Sequence, residues 1–205
     1  MVRTSSTMLP LGTFLPSFEL AVVQGTNLIN QDTQNLKNLS SQRLSVKPIL
    51  LMVICAHCPF VKHLERGISQ LAEDYLEEVQ FLAVSSNSLL THPQDGPEYL
   101  AEQANKQAWR FPYLLDMDQY LAKALKAACT PDFFLFSPSL KGVQQLRYRG
   151  QFDDSRPGNN VPVTGEDLRV ALDEVLQGRG ISIDQKPSIG CNIKWTPGKE
   201  PSWFG

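Results

Sequence analysis

The sequence lacks an excess of positive charge. Its 205 residues carry 19 lysines and arginines against 21 aspartates and glutamates, a formal net charge of −2, and the sequence pI is about 5.9. Proteins that bind nucleic acids or anionic membranes through their overall field carry clustered basic residues. The charge balance excludes that class, and we expect neither a nucleic acid nor a membrane as a partner.

Long hydrophobic runs are also missing. The longest uninterrupted apolar stretch is Ile49 to Ala56, eight residues, whereas a membrane-spanning helix needs about 20. The first eleven residues contain neither a sustained apolar stretch nor a small-residue cleavage site of the kind that ends a secretory signal. The sequence therefore predicts a cytoplasmic protein.

Cysteines are few, four in all. In a reducing compartment they are rarely structural disulfides and are more often redox, metal-binding or buried residues. With 42% hydrophobic residues, a chain of this length can bury one core without disulfides or metals. We therefore expect the cysteines to be available for chemistry, with no cofactor.

The middle of the chain reads as a strand, a helix and a second strand. Residues 49–54 are apolar on both faces, as in a central strand of a covered parallel sheet. From Cys58 to Tyr75 the apolar residues recur with a period near 3.6, which predicts an amphipathic helix, and Pro59 suits its first turn. A strand over Val79–Val84 follows, and this order implies a right-handed parallel crossover.

Weaker signals complete an α/β reading with a mixed sheet flanked by helices. We expect one domain over residues 1–180, with an irregular tail over 181–205 packed on it. The other predicted elements are a strand over 18–23, a helical turn over 32–38, a loop over 85–93, helices over 97–108 and 118–127, an extended piece over 113–115, a hairpin of 133–136 with 143–149, and a helix that begins at Thr164 and closes at Gly178.

One motif carries chemistry: Cys55-Ala56-His57-Cys58. A Cys-x-x-Cys between a strand and a helix of a crossover unit is typical of a redox pair. The spacing predicts Cys55 at the exposed tip of the loop and Cys58 in the first helical turn, close enough for a disulfide. Helix N-termini stabilise thiolates, so Cys55 is the candidate nucleophile, and a protonated His57 would add positive charge beside it.

A second candidate segment is Thr130-Pro131, directly before a predicted strand. A cis proline there would present extended backbone to a substrate strand, but cis bonds occur in only about 5 to 6% of X-Pro pairs, so the spacing alone does not establish one.

Four segments together resemble the peroxiredoxin-like group of the thioredoxin superfamily, which includes the alkyl hydroperoxide reductase and thiol-specific antioxidant proteins. The resemblance implies a thioredoxin fold with an N-terminal extension, Cys55 and Cys58 at the redox position, and Pro131 as the superfamily's cis proline. The four segments are Leu11–Leu20, Cys55–Lys62, Cys129–Phe136 and Pro187–Trp195.

The sequence departs from the motifs of both peroxiredoxins and ordinary thioredoxins. Peroxiredoxins resemble one another in a Pro-x-x-x-Thr-x-x-Cys loop; with Cys58 at that cysteine, Cys55 stands at the threonine position and Leu51 at the proline position. Without the threonine and proline, peroxidase chemistry would lose the orientation of the peroxide and the electrostatic stabilisation of its leaving oxygen, effects that can be worth several kcal/mol. In ordinary thioredoxins a Trp precedes the motif, and here it is Ile54.

Other interpretations of these residues stay open. Cys55 and Cys58 with His57 or His63 resemble part of a zinc site, but a closed structural site takes four ligands. Cys129 reads as a small core residue or as an additional redox cysteine, and Cys191 as an anchor of the tail or as a resolving cysteine.

We therefore predict a thiol–disulfide oxidoreductase in which Cys55 attacks and Cys58 resolves. His57, Thr130 and Pro131 are the predicted substrate-binding residues. The expected partners are a protein or small-molecule disulfide or thiol and an electron donor. One alternative is a peroxiredoxin-like thiol peroxidase resolved by Cys129 or Cys191. Another is a non-catalytic redox-sensing or partner-binding module anchored by the tail aromatics Trp195, Trp203 and Phe204.

Overall fold

The structure, a computed structural model, describes residues 3–24 and 37–204. Most of the helical turn predicted over 32–38 lies outside them. The strands are β1 (Arg3–Ser5), β2 (Glu19–Gln24), β3 (Asn38–Ser40), β4 (Ile49–Val53), β5 (Gln80–Ser85), β6 (Tyr113–Leu115), β7 (Cys129–Thr130), β8 (Asp132–Pro138), β9 (Gln144–Gly150) and β10 (Ile189–Asn192); the helices are α1 (Pro59–Tyr75), α2 (Pro97–Lys106), α3 (Tyr120–Ala124) and α4 (Glu166–Leu176).

A seven-stranded mixed sheet forms the centre, in the order β3-β2-β6-β5-β4-β8-β9. Strands β4, β5 and β6 run parallel, and β8 pairs antiparallel with both β4 and β9. The predicted parallel pairing of β4 with β5, connected by α1, and the predicted hairpin of β8 and β9 are both confirmed. Because β4 and β5 are parallel, the loops that follow them meet at one edge of the sheet.

Both faces of the sheet are covered. All five residues of β4 are buried, and they alternate between two apolar clusters. Leu50 and Met52 lie in the cluster that includes the inner face of α1, whereas Ile49 and Leu51 lie in the cluster that includes α3. Burial on both faces explains why this strand reads as a continuous apolar run.

The tail differs from the prediction. Instead of staying irregular, it supplies β10, the central strand of a second, three-stranded sheet in the order β1-β10-β7. The pairings are antiparallel on both sides, with Cys191 opposite both Arg3 and Thr130. Each partner strand has only two or three residues, too short for a period to appear in the sequence.

None of the four helices in the described part combines the length and the apolar character that a bilayer crossing requires.

Replacing Gly190 in β10 by alanine is expected to destabilise the protein by about 1–3 kcal/mol, as overpacking does. A Cβ on Gly190 would lie 2.1 Å from the carbonyl oxygen of Thr130, a backbone atom fixed by the pairing of β7 with β10. The measurement is the urea midpoint of unfolding, with Gly180→Ala as the matched control because a Cβ on Gly180 meets no atom within 4 Å. Equal midpoints for the two variants would contradict the close approach.

Candidate redox site

The loop between β4 and α1 carries the cysteine pair. Cys55 follows the buried end of β4 by two residues, and Cys58 is the N-cap residue of α1 with Pro59 in the first turn. No disulfide joins the four cysteines, all of which lie in the described part. The sulfurs of Cys55 and Cys58 both lie against Thr130, at 3.6 Å from its hydroxyl and 3.2 Å from its carbonyl oxygen respectively, so the structure brings the two predicted catalytic residues together.

The exposure expected for Cys55 is wrong. Both Cys55 and Cys58 are 0% exposed. The sulfur of Cys55 lies 3.6 Å from the hydroxyl of Thr130, and the sulfur of Cys58 lies 2.9 Å from that of Cys191. Residue spacing within the motif cannot reveal this cover, because both covering residues come from distant parts of the chain.

A buried carboxylate that sequence reasoning missed holds the loop. Asp95 is 0% exposed and accepts hydrogen bonds from the backbone N–H groups of Ala56 (3.0 Å) and His57 (3.1 Å). The His57 ring, through Nδ1, and the Asn87 side-chain amide lie 2.6 and 2.8 Å from its other oxygen. Burial alone would raise the pKa of Asp95, but these bonds lower it overall. Asp95 and Asn87 lie in the loop after β5. Because β4 and β5 are parallel neighbours, this loop lies beside the cysteine loop, and the predicted strand order could have pointed to these two residues.

The two thiols of the motif differ in their electrostatics. Burial first, then the neighbouring Cys58 and the charge of Asp95, raise the pKa of Cys55 well above its ordinary value. Hydrogen bonds from the thiols of Cys191 and Cys55, together with the Val61 backbone N–H in the first turn of α1, lower the pKa of Cys58 against the effect of burial. The favoured thiolate is therefore Cys58, at the helix N-terminus.

The Thr130–Pro131 segment lies against both sulfurs. The bond between these residues is cis, as the resemblance implies. The hydroxyl of Thr130 faces Cys55, and its carbonyl oxygen lies 3.2 Å from the sulfur of Cys58, which donates to it when protonated.

The structure places the two remaining cysteines differently. Cys191 contacts Cys58, whereas the sulfur of Cys129 is directed at the carbonyl oxygens of Pro131 (3.6 Å) and Ser188 (4.0 Å). Burial first, then the nearby Asp132, raise the pKa of Cys129 well above its ordinary value. These surroundings suit the core interpretation of Cys129.

Of the two histidines near the motif, one lies at the cysteine pair and the other does not. His57 lies with its ring nitrogen 3.8 Å from the sulfur of Cys55 and stacks on His92 at 5.2 Å between ring centroids. His63 instead lies 2.7 Å from the hydroxyl of Ser155. Within the described residues, the group that could hold a metal is Cys55, His57 and Asp95. It contains three ligands, which is one fewer than a closed structural zinc site takes.

The aromatic residues of the tail fold back onto the protein. Trp195 is 5% exposed, and Trp203 and Phe204 meet it edge to face at 5.8 and 6.0 Å between ring centroids. All three therefore pack with the core cluster beneath them instead of standing out as docking anchors.

Solved structures similar to this chain include both close and distant matches. An uncharacterized conserved protein from Geobacillus kaustophilus is 43% identical, with a TM-score of 0.85 over 96% of this chain and 98% of that chain. A hypothetical protein from Sinorhizobium meliloti 1021 is 37% identical, with a TM-score of 0.85 over 95% of this chain and 100% of that chain. A secreted Mycobacterium tuberculosis disulfide oxidoreductase homologous to E. coli DsbE shares the fold at 14% identity, with a TM-score of 0.54 over 76% and 94%.

A comparison with curated proteins found no match. Residues 11–152 match the AhpC/TSA family, a segment that contains β4, the cysteine pair, α1 and the Thr130–Pro131 peptide. The family match and the shared architecture confirm the thioredoxin fold and the peroxiredoxin-like resemblance. The chain belongs to the AhpC/TSA family of the thioredoxin superfamily.

Proposed function

We propose that this protein is a thiol–disulfide oxidoreductase that works through Cys55 and Cys58. The observation that carries the proposal is the convergence of these two thiols on Thr130, beside the cis peptide bond to Pro131 and at the N-terminus of α1. A dithiol that can close into a disulfide, with one sulfur stabilised as a thiolate, supplies what exchange chemistry needs.

The electrostatics of the pair support roles opposite to those expected from the sequence. Cys58 attacks one sulfur of a substrate disulfide as the thiolate; a Cys58–substrate bond forms, the substrate S–S bond breaks and one substrate thiolate leaves. Cys55 then attacks the Cys58 sulfur, the Cys58–substrate bond breaks, and the second substrate thiolate leaves and takes the Cys55 proton. Two electrons pass to the substrate, and the protein is left with a Cys55–Cys58 disulfide. An external dithiol then reduces this disulfide and restores the two protein thiols.

Burial adds a requirement to this mechanism. Since Cys58 is covered and Cys191 lies directly on it, a substrate can reach the thiolate only when the segment that carries Cys191 opens locally. Short strands that pair over two or three residues are the kind of element that opens at low cost.

The test is insulin reduction with dithiothreitol as the electron source. The wild-type protein is expected to accelerate insulin precipitation, and the Cys55→Ser/Cys58→Ser double variant is expected to leave the rate at that of dithiothreitol alone. Wild-type protein that gives only the dithiothreitol rate would overturn the proposal, provided that its circular dichroism shows the folded state.

A thiol peroxidase is the second candidate, and the position of Cys191 favours it. A Cys58 thiolate that attacks one oxygen of hydrogen peroxide would break the O–O bond, release hydroxide and become a sulfenic acid. The Cys191 thiol, 2.9 Å away, would then displace water to form a disulfide. Against it, Cys55 and Leu51 occupy the positions of the threonine and proline that orient peroxide. Rapid mixing distinguishes the two: we expect a rate constant with hydrogen peroxide close to that of free cysteine, and one 100-fold higher would favour the peroxidase.

A further inference from the structure

Strand β10 covers the segment that was expected to receive a substrate strand. It pairs antiparallel with β7, with Cys191 opposite Thr130 and Asn192 opposite Cys129. The pairing continues beyond the strand, where the Ile193 N–H donates to the Ala128 carbonyl oxygen at 3.0 Å. A section of the tail therefore holds the backbone position, next to Thr130 and Pro131, that an incoming extended disulfide substrate would take.

The fit of β10 on this segment is close enough to need glycine. A Cβ at Gly190 would lie 2.1 Å from the Thr130 carbonyl oxygen and 3.2 Å from the Pro131 nitrogen. On the other side β1 pairs with β10, and the guanidinium of Arg3 lies 5.7 Å from the ring centre of Phe60 in α1. Held from both sides, β10 has a fixed register, and that register decides which side chain meets the thiolate.

The residue placed on the thiolate is a cysteine. The sulfurs of Cys191 and Cys58 lie 2.9 Å apart, less than about 1 Å beyond the length of a disulfide bond of about 2.05 Å. The sulfur of Cys55 lies 3.6 Å from the hydroxyl of Thr130, the residue whose carbonyl oxygen lies 3.2 Å from the sulfur of Cys58. Cys58 therefore has two candidate disulfide partners: Cys191, which lies directly against it, and Cys55, which belongs to the same motif.

We propose that Cys191 is a third redox-active cysteine, which exchanges with the Cys55–Cys58 disulfide to form a Cys58–Cys191 disulfide. The inference rests on the proposed function for the first disulfide. In the step, Cys191 gives up its proton and attacks the Cys58 sulfur, the Cys55–Cys58 bond breaks, and Cys55 leaves as a thiolate and takes the proton. No electrons enter or leave, because the bond moves from one neighbour of Cys58 to the other.

The charges around Cys191 suit this step. In the reduced protein its pKa is raised, first by its hydrogen bond to Cys58, then by burial, and the nearby Lys194 ammonium acts in the opposite direction. Once Cys58 is in a disulfide, the Cys58 thiolate and its bond to Cys191 are gone, and the effect of Lys194 remains. Its ammonium is held near the thiol by the carbonyl oxygen and side-chain oxygen of Asn192, at 2.5 and 2.8 Å.

Disulfide mapping tests the inference. Protein equilibrated in glutathione buffers of rising oxidised fraction is acid-quenched, alkylated under denaturing conditions, digested and analysed by mass spectrometry. Wild-type protein is expected to give both the Cys55–Cys58 and the Cys58–Cys191 cross-links. The Cys55→Ser variant is expected to give Cys58–Cys191 as its main oxidised species. Cys55→Ser/Cys129→Ser is the matched control and should keep that cross-link, whereas Cys55→Ser/Cys191→Ser should give a Cys58–glutathione adduct instead.

The outcomes separate this inference from the proposed function. Wild-type protein that forms the Cys55–Cys58 disulfide and reduces insulin, while Cys191 stays fully alkylated in every buffer, overturns the role of Cys191 and leaves the oxidoreductase intact. Conversely, a Cys58–Cys191 cross-link in protein that does not accelerate insulin reduction overturns the oxidoreductase and retains Cys191 as a redox partner of Cys58. The wild-type measurement needs no variant, so a misfolded substitution cannot blunt the test.

Discussion

The Cys58→Ser protein is expected to reduce insulin no faster than dithiothreitol alone, a loss on the order of 1,000-fold or more, as is typical when a nucleophile is removed. The physical reason is that Cys58 is the sulfur stabilised as a thiolate by the first turn of α1 and by its two thiol neighbours. The matched control is Cys129→Ser, whose sulfur meets backbone carbonyl oxygens, and which is expected to keep the wild-type rate.

A trapping experiment decides the order of attack. If Cys58 attacks first, removal of the resolving thiols leaves a stable mixed disulfide on Cys58. Because Cys191 is also placed to resolve it, the trap is the Cys55→Ser/Cys191→Ser variant, and the product is a covalent adduct with a thionitrobenzoate-labelled model disulfide. An adduct that instead accumulates on Cys55 in the Cys58→Ser protein would restore the order predicted from the sequence.

We expect the stability of the wild-type protein to fall between about pH 4 and 7, and Asp132→Asn is expected to remove the part of that fall that Asp132 contributes. Asp132 is 1% exposed, and burial raises its pKa to about 7, against the hydrogen bond that the Ser6 hydroxyl donates at 2.7 Å. Above the unfolded-state pKa of about 3.9 the folded protein binds more protons than the unfolded chain, so stability falls as the pH rises until the folded-state pKa is passed.

The size of that effect follows from the shift. About three pKa units correspond to about 4 kcal/mol, fully expressed above pH 7 and absent below pH 4. The measurement is the free energy of unfolding in urea at pH 4, 6 and 8 for wild type and variant. Asp184→Asn, at an exposed position, is the matched control and is expected to follow the wild-type profile. A constant difference between wild type and Asp132→Asn across this range would contradict an unusual titration of Asp132.

The sequence predicts the centre of this fold well and its periphery poorly. Strand β4 and helix α1 are long, with clear apolar patterns, and Pro59 marks the start of the helix, so local preferences and burial agree. Strand β10 has four residues, one of them Gly190. Its conformation depends on partners that lie about 60 and 185 residues away in the chain, and no local pattern reports such pairing.

In the candidate site too, the features set by local sequence were predictable and those set by long-range strand pairing were not. The nearness of Cys55 to Cys58 is a consequence of the two-residue spacing before a helix, and it was predictable. The clamp made by Asp95, 38 residues from His57, depends on the parallel pairing of β4 with β5. The approach of Cys191 to Cys58 depends on the register of β10. Long-range strand pairing determines the positions of both Asp95 and Cys191. The same pairing buries Cys55, which the motif spacing alone had placed at an exposed loop tip.

The separation of 133 positions between Cys58 and Cys191 has a consequence for biosynthesis. A ribosome releases the Cys55-to-Cys58 loop long before it makes β10, so the nascent chain carries these thiols without their cover. During that interval the pair is open to passing oxidants and small thiols in a way that the finished molecule is not. The speed of translation and the redox state around the exit tunnel therefore affect the fraction of newly made protein in which the Cys55 and Cys58 thiols are reduced.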